Sequence, residues 1–192
     1  MSEIIVKNLE DFNSGKTNIC LITGLSGSGK TTKALNMLGN NIHIELDLFE
    51  QCYLFPDLNE LRQKAGDVFY EYFTEHPGKY QALQNKEFLG LALGNEIKKF
   101  LEYVLLYCRE HNDKKYIIEG VQIYCFLDVE ENKDLAYIVI NKSFISCMLK
   151  RIKRSITKDK EKLKNLELIK MFNWYRCESE ILKTFIEVLK TI

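Results

Sequence analysis

Cys20 to Leu35 reads CLITGLSGSGKTTKAL. Four β-compatible residues run into a glycine-rich turn, and the turn runs into a helical pattern. Within it, Gly24-Leu-Ser-Gly-Ser-Gly29-Lys30-Thr31 satisfies G-x-x-x-x-G-K-[ST], in the strand-to-helix context that this phosphate-cradling motif requires. The chain's own residue frequencies give about 0.005 chance matches, so a mere glycine-rich turn is the weaker reading. Gly24, Gly27 and Gly29 let backbone amides face an anion at close range, and a helix starting near Lys30 adds a favourable dipole. Lys30 is expected to reach the β- and γ-phosphates of a nucleoside triphosphate, and Thr31 a magnesium ion. The whole set expected to hold ATP is Gly24, Leu25, Ser26, Gly27, Ser28, Gly29, Lys30, Thr31 and Thr32.

At 192 residues the chain fits one folding unit with a real core. Lys plus Arg (27) balances Asp plus Glu (27), so any nucleic-acid or membrane contact must come from a local patch. Six scattered cysteines, with no C-x-x-C and no histidine at zinc-ligand spacing, suggest reduced thiols and small buried hydrophobes. The start MSEIIVKNLEDF is too charged for a signal peptide, and no apolar run approaches the roughly 20 residues of a spanning helix. A cytoplasmic protein without membrane contact is expected.

Prolines occur only at 56 and 77, and no repeat or linker divides the chain. Expected strands are Glu3 to Val6, which is weak, then Asn18 to Thr23, Ile42 to Leu46, Tyr116 to Glu119 and Leu135 to Ile140. Expected helices are Lys30 to Leu38, Leu58 to Thr74, Asn85 to Glu110 (long or broken), Lys142 to Lys164 and Leu166 to Leu189. This alternation implies an α/β fold with a mainly parallel sheet covered on both faces. Ligands then bind at the carboxyl ends of the strands, just after Thr23, Leu46, Glu119 and Ile140.

Two acidic residues stand at those ends. Asp47 lies one residue past Leu46, and Glu119 closes YIIE, so both carboxylates would converge on the loop. A carboxylate beside phosphates can orient magnesium or take a proton from an attacking hydroxyl. The competing readings are a helix cap for Asp47 and a surface carboxylate for Glu119. Glu45 is a weaker candidate, and His43 is expected to pack or to face solvent.

The segments GLSGSGKTT (Gly24 to Thr32), Asp47-Leu-Phe49 and Glu119-Gly120-Val121 resemble the loop, the D-x-[FY] and the E-G-[IVL] of the uridine kinase and phosphoribulokinase family. That family lies within the nucleoside monophosphate kinase-like group of P-loop kinases. Polynucleotide, shikimate kinase-like and zeta-toxin-like kinases share the loop and the following acid. The resemblance implies a P-loop NTPase three-layer α/β/α fold over residues 1–192, with a helical acceptor-binding insert at 50–112 and a lid at 142–164. It casts Asp47 as the base for an acceptor hydroxyl and Glu119 as an organiser of magnesium. It also casts Arg151 and Arg154, three apart on one helical face, as lid arginines over the transferring phosphate.

Within the same lid helix Ile145, Met148 and Ile152 can pack inward, and a solvated basic face is the plain alternative. In the insert, Tyr53 and Phe55 could wall a ring-shaped acceptor, and Arg62 lies where related kinases bind an acceptor's phosphate. Phe69, Tyr72 and Phe73 at helical spacing read as core. After the lid no fifth strand is evident; Trp174 and Tyr175 are expected to dock the last helix on the core, and Arg176 to approach the nucleotide. The expectation is an ATP- and Mg2+-dependent kinase acting on a small-molecule acceptor, nucleoside-like or nucleotide by resemblance. A nucleic-acid 5′-hydroxyl is the second acceptor, for which Lys158, Lys160, Lys162 and Lys164 would serve, and an acceptor-less ATPase switch is the third reading.

Overall fold

The computed structural model of this chain describes residues 3–87, 91–158 and 166–192, with side chains described for 3–87, 92–153 and 169–192. Five strands form one sheet: β1 (Glu3–Lys7), β2 (Ile19–Gly24), β3 (Ile42–Glu45), β4 (Tyr116–Glu119) and β5 (Ala136–Asn141), in spatial order β1-β5-β2-β4-β3. β2 pairs in parallel with β4 and β5, β3 pairs in parallel with β4, and β1 closes the β5 edge antiparallel. The strand that feeds the glycine-rich loop therefore lies between two parallel neighbours, where crossovers leave to opposite sides and open a crevice.

β2 and β4 are buried along their whole length, as near-continuous apolar runs in a doubly covered parallel sheet should be. Because side chains alternate across a strand, Cys20 and Ile22 point to one face with Ile117, Ile138 and Ile140, where Phe12 of α1 (Leu9–Ser14) and Ala34 of α2 (Lys30–Asn36) pack. Ile19, Leu21, Ile118 and Val139 point to the other face and join the larger core. That core includes α6 (Leu91–Glu110), α7 (Gln122–Phe126) and α9 (Leu166–Thr191).

The stretch between β3 and β4 holds a 3-10 helix (Leu46–Leu54), α3 (Leu58–Ala65), α4 (Asp67–Glu75), α5 (Pro77–Gln84) and α6. The helix expected from 58 to 74 is two helices, because Gly66 takes φ +95°, outside the helical region. Asp57 starts the first of them by accepting from the amides of Asn59 and Glu60 at 2.8 and 2.9 Å. The helix expected from residue 85 begins at Leu91, and α5 precedes it.

Phe69, Tyr72 and Phe73 are core, as their spacing suggested. With Phe49 and Phe100 they form an aromatic cluster: Phe100 lies 4.7 Å from Phe49 and 4.6 Å from Phe69, centroid to centroid. Each fully buried phenylalanine contributes about 1.5–3 kcal/mol. Phe49 thus anchors the 3-10 helix, and with it Asp47 two residues earlier. Among the described residues no helix is long and apolar enough to cross a membrane.

After β5 comes α8 (Phe144–Lys158), followed by α9. Of the residues expected to pack inward, Met148 and Ile152 are partly buried, whereas Ile145 is 48% exposed and fully buried Cys147 packs inward instead, with Phe144 beside it. Arg151 follows Phe144, Cys147 and Met148 at helical spacing and, though exposed, reaches the glycine-rich loop through Ser26. Residues 159–164 of the expected lid, including Lys160, Lys162 and Lys164, lie outside the described residues.

Candidate functional site

Strand register sets the expected strand ends side by side. Gly24 is level with Ile140, Ile22 with Glu119, and Glu45 with Glu119. Beyond β2 the chain turns through Gly24 (φ +145°), Gly27 (φ +86°) and Gly29 (φ +107°), a region that side chains rarely tolerate. Space closes the same positions: a Cβ on Gly24 would lie 2.5 Å from the Ile140 carbonyl oxygen, and one on Gly27 would lie 2.8 Å from that of Cys147. The turn is locked by the Ser28 amide, which donates to the Leu25 carbonyl at 3.0 Å.

Lys30 begins α2 and is only 6% exposed, with Nζ turned back to the Leu25 carbonyl at 3.4 Å. Burial lowers its pKa, and the charges of Asp47, Glu119 and Glu45 oppose that shift. A buried ammonium is tolerated where carboxylates surround it. Thr31 and Thr32 follow on the exposed side of the first turn.

Glu119 is 1% exposed and, among the described residues, neither of its oxygens finds a hydrogen-bond partner; one oxygen of Asp47 is likewise buried and unbonded there. Such groups are rare because the desolvated acceptor is uncompensated, and they call for a cation or a donor. His43 supplies part of the answer. Its Nε2 lies 3.3 Å from Glu119 Oε1, off the direction of a hydrogen bond, which corrects the expectation that this histidine merely packs or faces solvent. Glu45 belongs to the same group: burial raises its pKa first, then the charges of Glu119 and Asp47. Gly120 keeps the turn after Glu119 tight, since a Cβ there would meet Leu46 Cβ at 2.9 Å and collide with Gln122 Oε1.

Cations come from the far side. Arg151 Nη1 donates to Ser26 Oγ at 2.9 Å, and Lys142 Nζ to the Ser28 carbonyl at 2.7 Å. Lys142 stands one residue after β5; the strand-end rule that singled out Asp47 could have found it. The Lys142 pKa is lowered, chiefly by desolvation and then by neighbouring Lys150, a like-charge pair suited to an anion. Arg154 lies in α8, but its side chain is outside those described, as is that of Lys158. Arg62 is exposed and bound to Asp67 at 2.6 Å, and Arg176 is exposed. Tyr175 docks α9 as expected, fully buried, whereas Trp174 remains 41% exposed beside Arg151.

Among the described residues no group of three or more His, Cys, Asp or Glu side chains is placed to enclose a metal ion. The unbonded carboxylate oxygens of Asp47 and Glu119 are hard donors of the kind that a largely hydrated cation takes. No protein-family model matches the chain, and a search of curated proteins finds no relative.

Proposed function

We propose that the chain is a P-loop phosphotransferase, moving the γ-phosphoryl group of ATP to a hydroxyl or phosphate of a small acceptor with magnesium. The observation that carries this reading is the meeting of buried Lys30, in a loop only glycines can form, with the unbonded carboxylate oxygens of Asp47 and Glu119. A merely structural turn would not gather buried charge of both signs at one sheet edge.

In this reading the amides from Leu25 to Thr31 and the ammonium of Lys30 hold the donor's phosphates. Thr31 and Glu119 would hold magnesium, which supplies charge neutralisation at the phosphate oxygens when bound. Asp47, fixed by the Phe49 anchor, orients the acceptor and accepts its proton. Arg151 offers in-plane donors to the transferring group, and Lys142 adds positive charge at the loop's end. The long crossover from the 3-10 helix to α6 would shape the acceptor site.

The test pairs nucleotide binding with transfer. Asp47→Asn keeps ATP affinity within about threefold, while transfer falls on the order of 100-fold to 10,000-fold, the range for loss of a general base. Unchanged transfer in that variant removes Asp47 from the role, and undetectable ATP binding by the parent protein ends the reading.

A further inference from the structure

Arg151 is held from three directions. Its Nη1 donates to Ser26 Oγ at 2.9 Å, and its guanidinium carbon lies 5.8 Å from the centre of the Trp174 ring. The Tyr175 hydroxyl donates to the Ser26 backbone carbonyl at 2.9 Å and lies within hydrogen-bond reach of the same guanidinium. The two rings are themselves braced edge to face, 4.8 Å apart with planes at 86°.

Their exposure separates their roles. Tyr175 is fully buried and ties α9 to the loop, whereas Trp174 is 41% exposed and adds little to the core. A large ring left in water beneath an arginine is explained by the arginine. A contact with a ring face attracts the cation without using any of its five in-plane N–H donors, so the ring holds the guanidinium and leaves donors available for an anion. The arginine's charge also acts on Glu50, on the 3-10 helix that carries Asp47.

We propose that Trp174 and Tyr175 are positioning residues that hold the Arg151 guanidinium over the glycine-rich loop, ready for the third phosphate of a bound nucleoside triphosphate. This rests on the phosphotransferase reading. The chain contains a single tryptophan, so its emission reports the surroundings of this one ring.

The experiment titrates the full chain, with magnesium, using ADP and a non-hydrolysable β,γ-imido analogue of ATP, reading tryptophan emission and calorimetric binding in parallel. Both nucleotides are expected to bind, with emission changing for the triphosphate and little for the diphosphate. Arg151→Ala should abolish that change and keep ADP affinity within about threefold. Trp174→Leu should lose about fivefold to tenfold of the preference for triphosphate over diphosphate, and Trp174→Phe should restore it, because a ring is what the arginine needs. Tyr175→Phe keeps the ring and removes the tie to Ser26, so it should lose part of the same preference. Triphosphate binding that leaves emission unchanged, or a Trp174→Leu protein with the parent's preference, overturns the proposal and leaves the phosphotransferase reading standing. Absence of calorimetric binding by either nucleotide overturns both.

Discussion

His43 and Glu119, on the neighbouring parallel strands β3 and β4, place Nε2 and Oε1 3.3 Å apart, and among the described residues the carboxylate has no hydrogen-bond partner. A strand-end glutamate with 1% exposure is thus left facing one imidazole and the field of Lys30. A carboxylate buried this deeply is costly to leave unmatched.

Removing the imidazole exposes that cost. His43→Ala should lower Tm by roughly 3–6 °C, as about 1–2 kcal/mol does in a domain of this size. In a Glu119→Gln background the same change should matter much less, because the charge it served is gone. Thermal melts of the two single variants and the double variant decide it; strictly additive losses would show that the two side chains do not act on each other.

Gly24 is constrained twice, by φ +145° and by the Ile140 carbonyl oxygen 2.5 Å from where a Cβ would lie. Gly24→Ala is therefore expected to destabilise by about 1–3 kcal/mol and to abolish nucleotide binding. Gly39, where an added Cβ meets nothing within 4 Å, is the control: its alanine variant should bind nucleotide like the parent. Nucleotide binding that survives Gly24→Ala would mean that the loop's shape is not what holds the phosphates.

Stability should fall with pH on account of Glu45. Burial raises its pKa above the ordinary 4.5, and the Glu119 and Asp47 charges raise it further. The folded state then binds this proton more tightly than the unfolded chain does. No stability is lost below about pH 4.5, and the loss accumulates as pH climbs from there through the raised folded value. Glu45→Gln should melt roughly 2 °C above the parent at pH 7, with the two curves converging near pH 4. A variant that melts below the parent at neutral pH would show that the Glu45 charge is compensated in the fold.

The sheet was legible because β2, β4 and β5 are near-continuous apolar runs, and the loop because its glycines, lysine and threonine occur at fixed spacing. Asp47 and Glu119 followed from topology, since parallel strands bring their carboxyl ends to one edge. His43 was not legible, because its partner is chosen by β3–β4 register, which places residues 43 and 119 on one face across 76 positions of sequence. The break at Gly66 was hidden in a continuous apolar pattern, since periodicity reports a buried face and is blind to a single residue's φ. Likewise, α8 carries apolar side chains on two faces, and only its contact with Gly27 through the Cys147 carbonyl decides which one turns inward.

The central claim is transfer to an acceptor, and the most direct measurement is the mass of the products. Purified protein, ATP and magnesium are incubated alone and with nucleosides, nucleotides, sugars and oligonucleotide ends. The account predicts that one small acceptor gains the mass of one phosphate as ATP becomes ADP, and that the gain disappears without magnesium and in Lys30→Met. Steady release of inorganic phosphate that no acceptor alters would contradict it and make the chain an ATPase, and a gain confined to oligonucleotide ends would contradict the choice of a small acceptor.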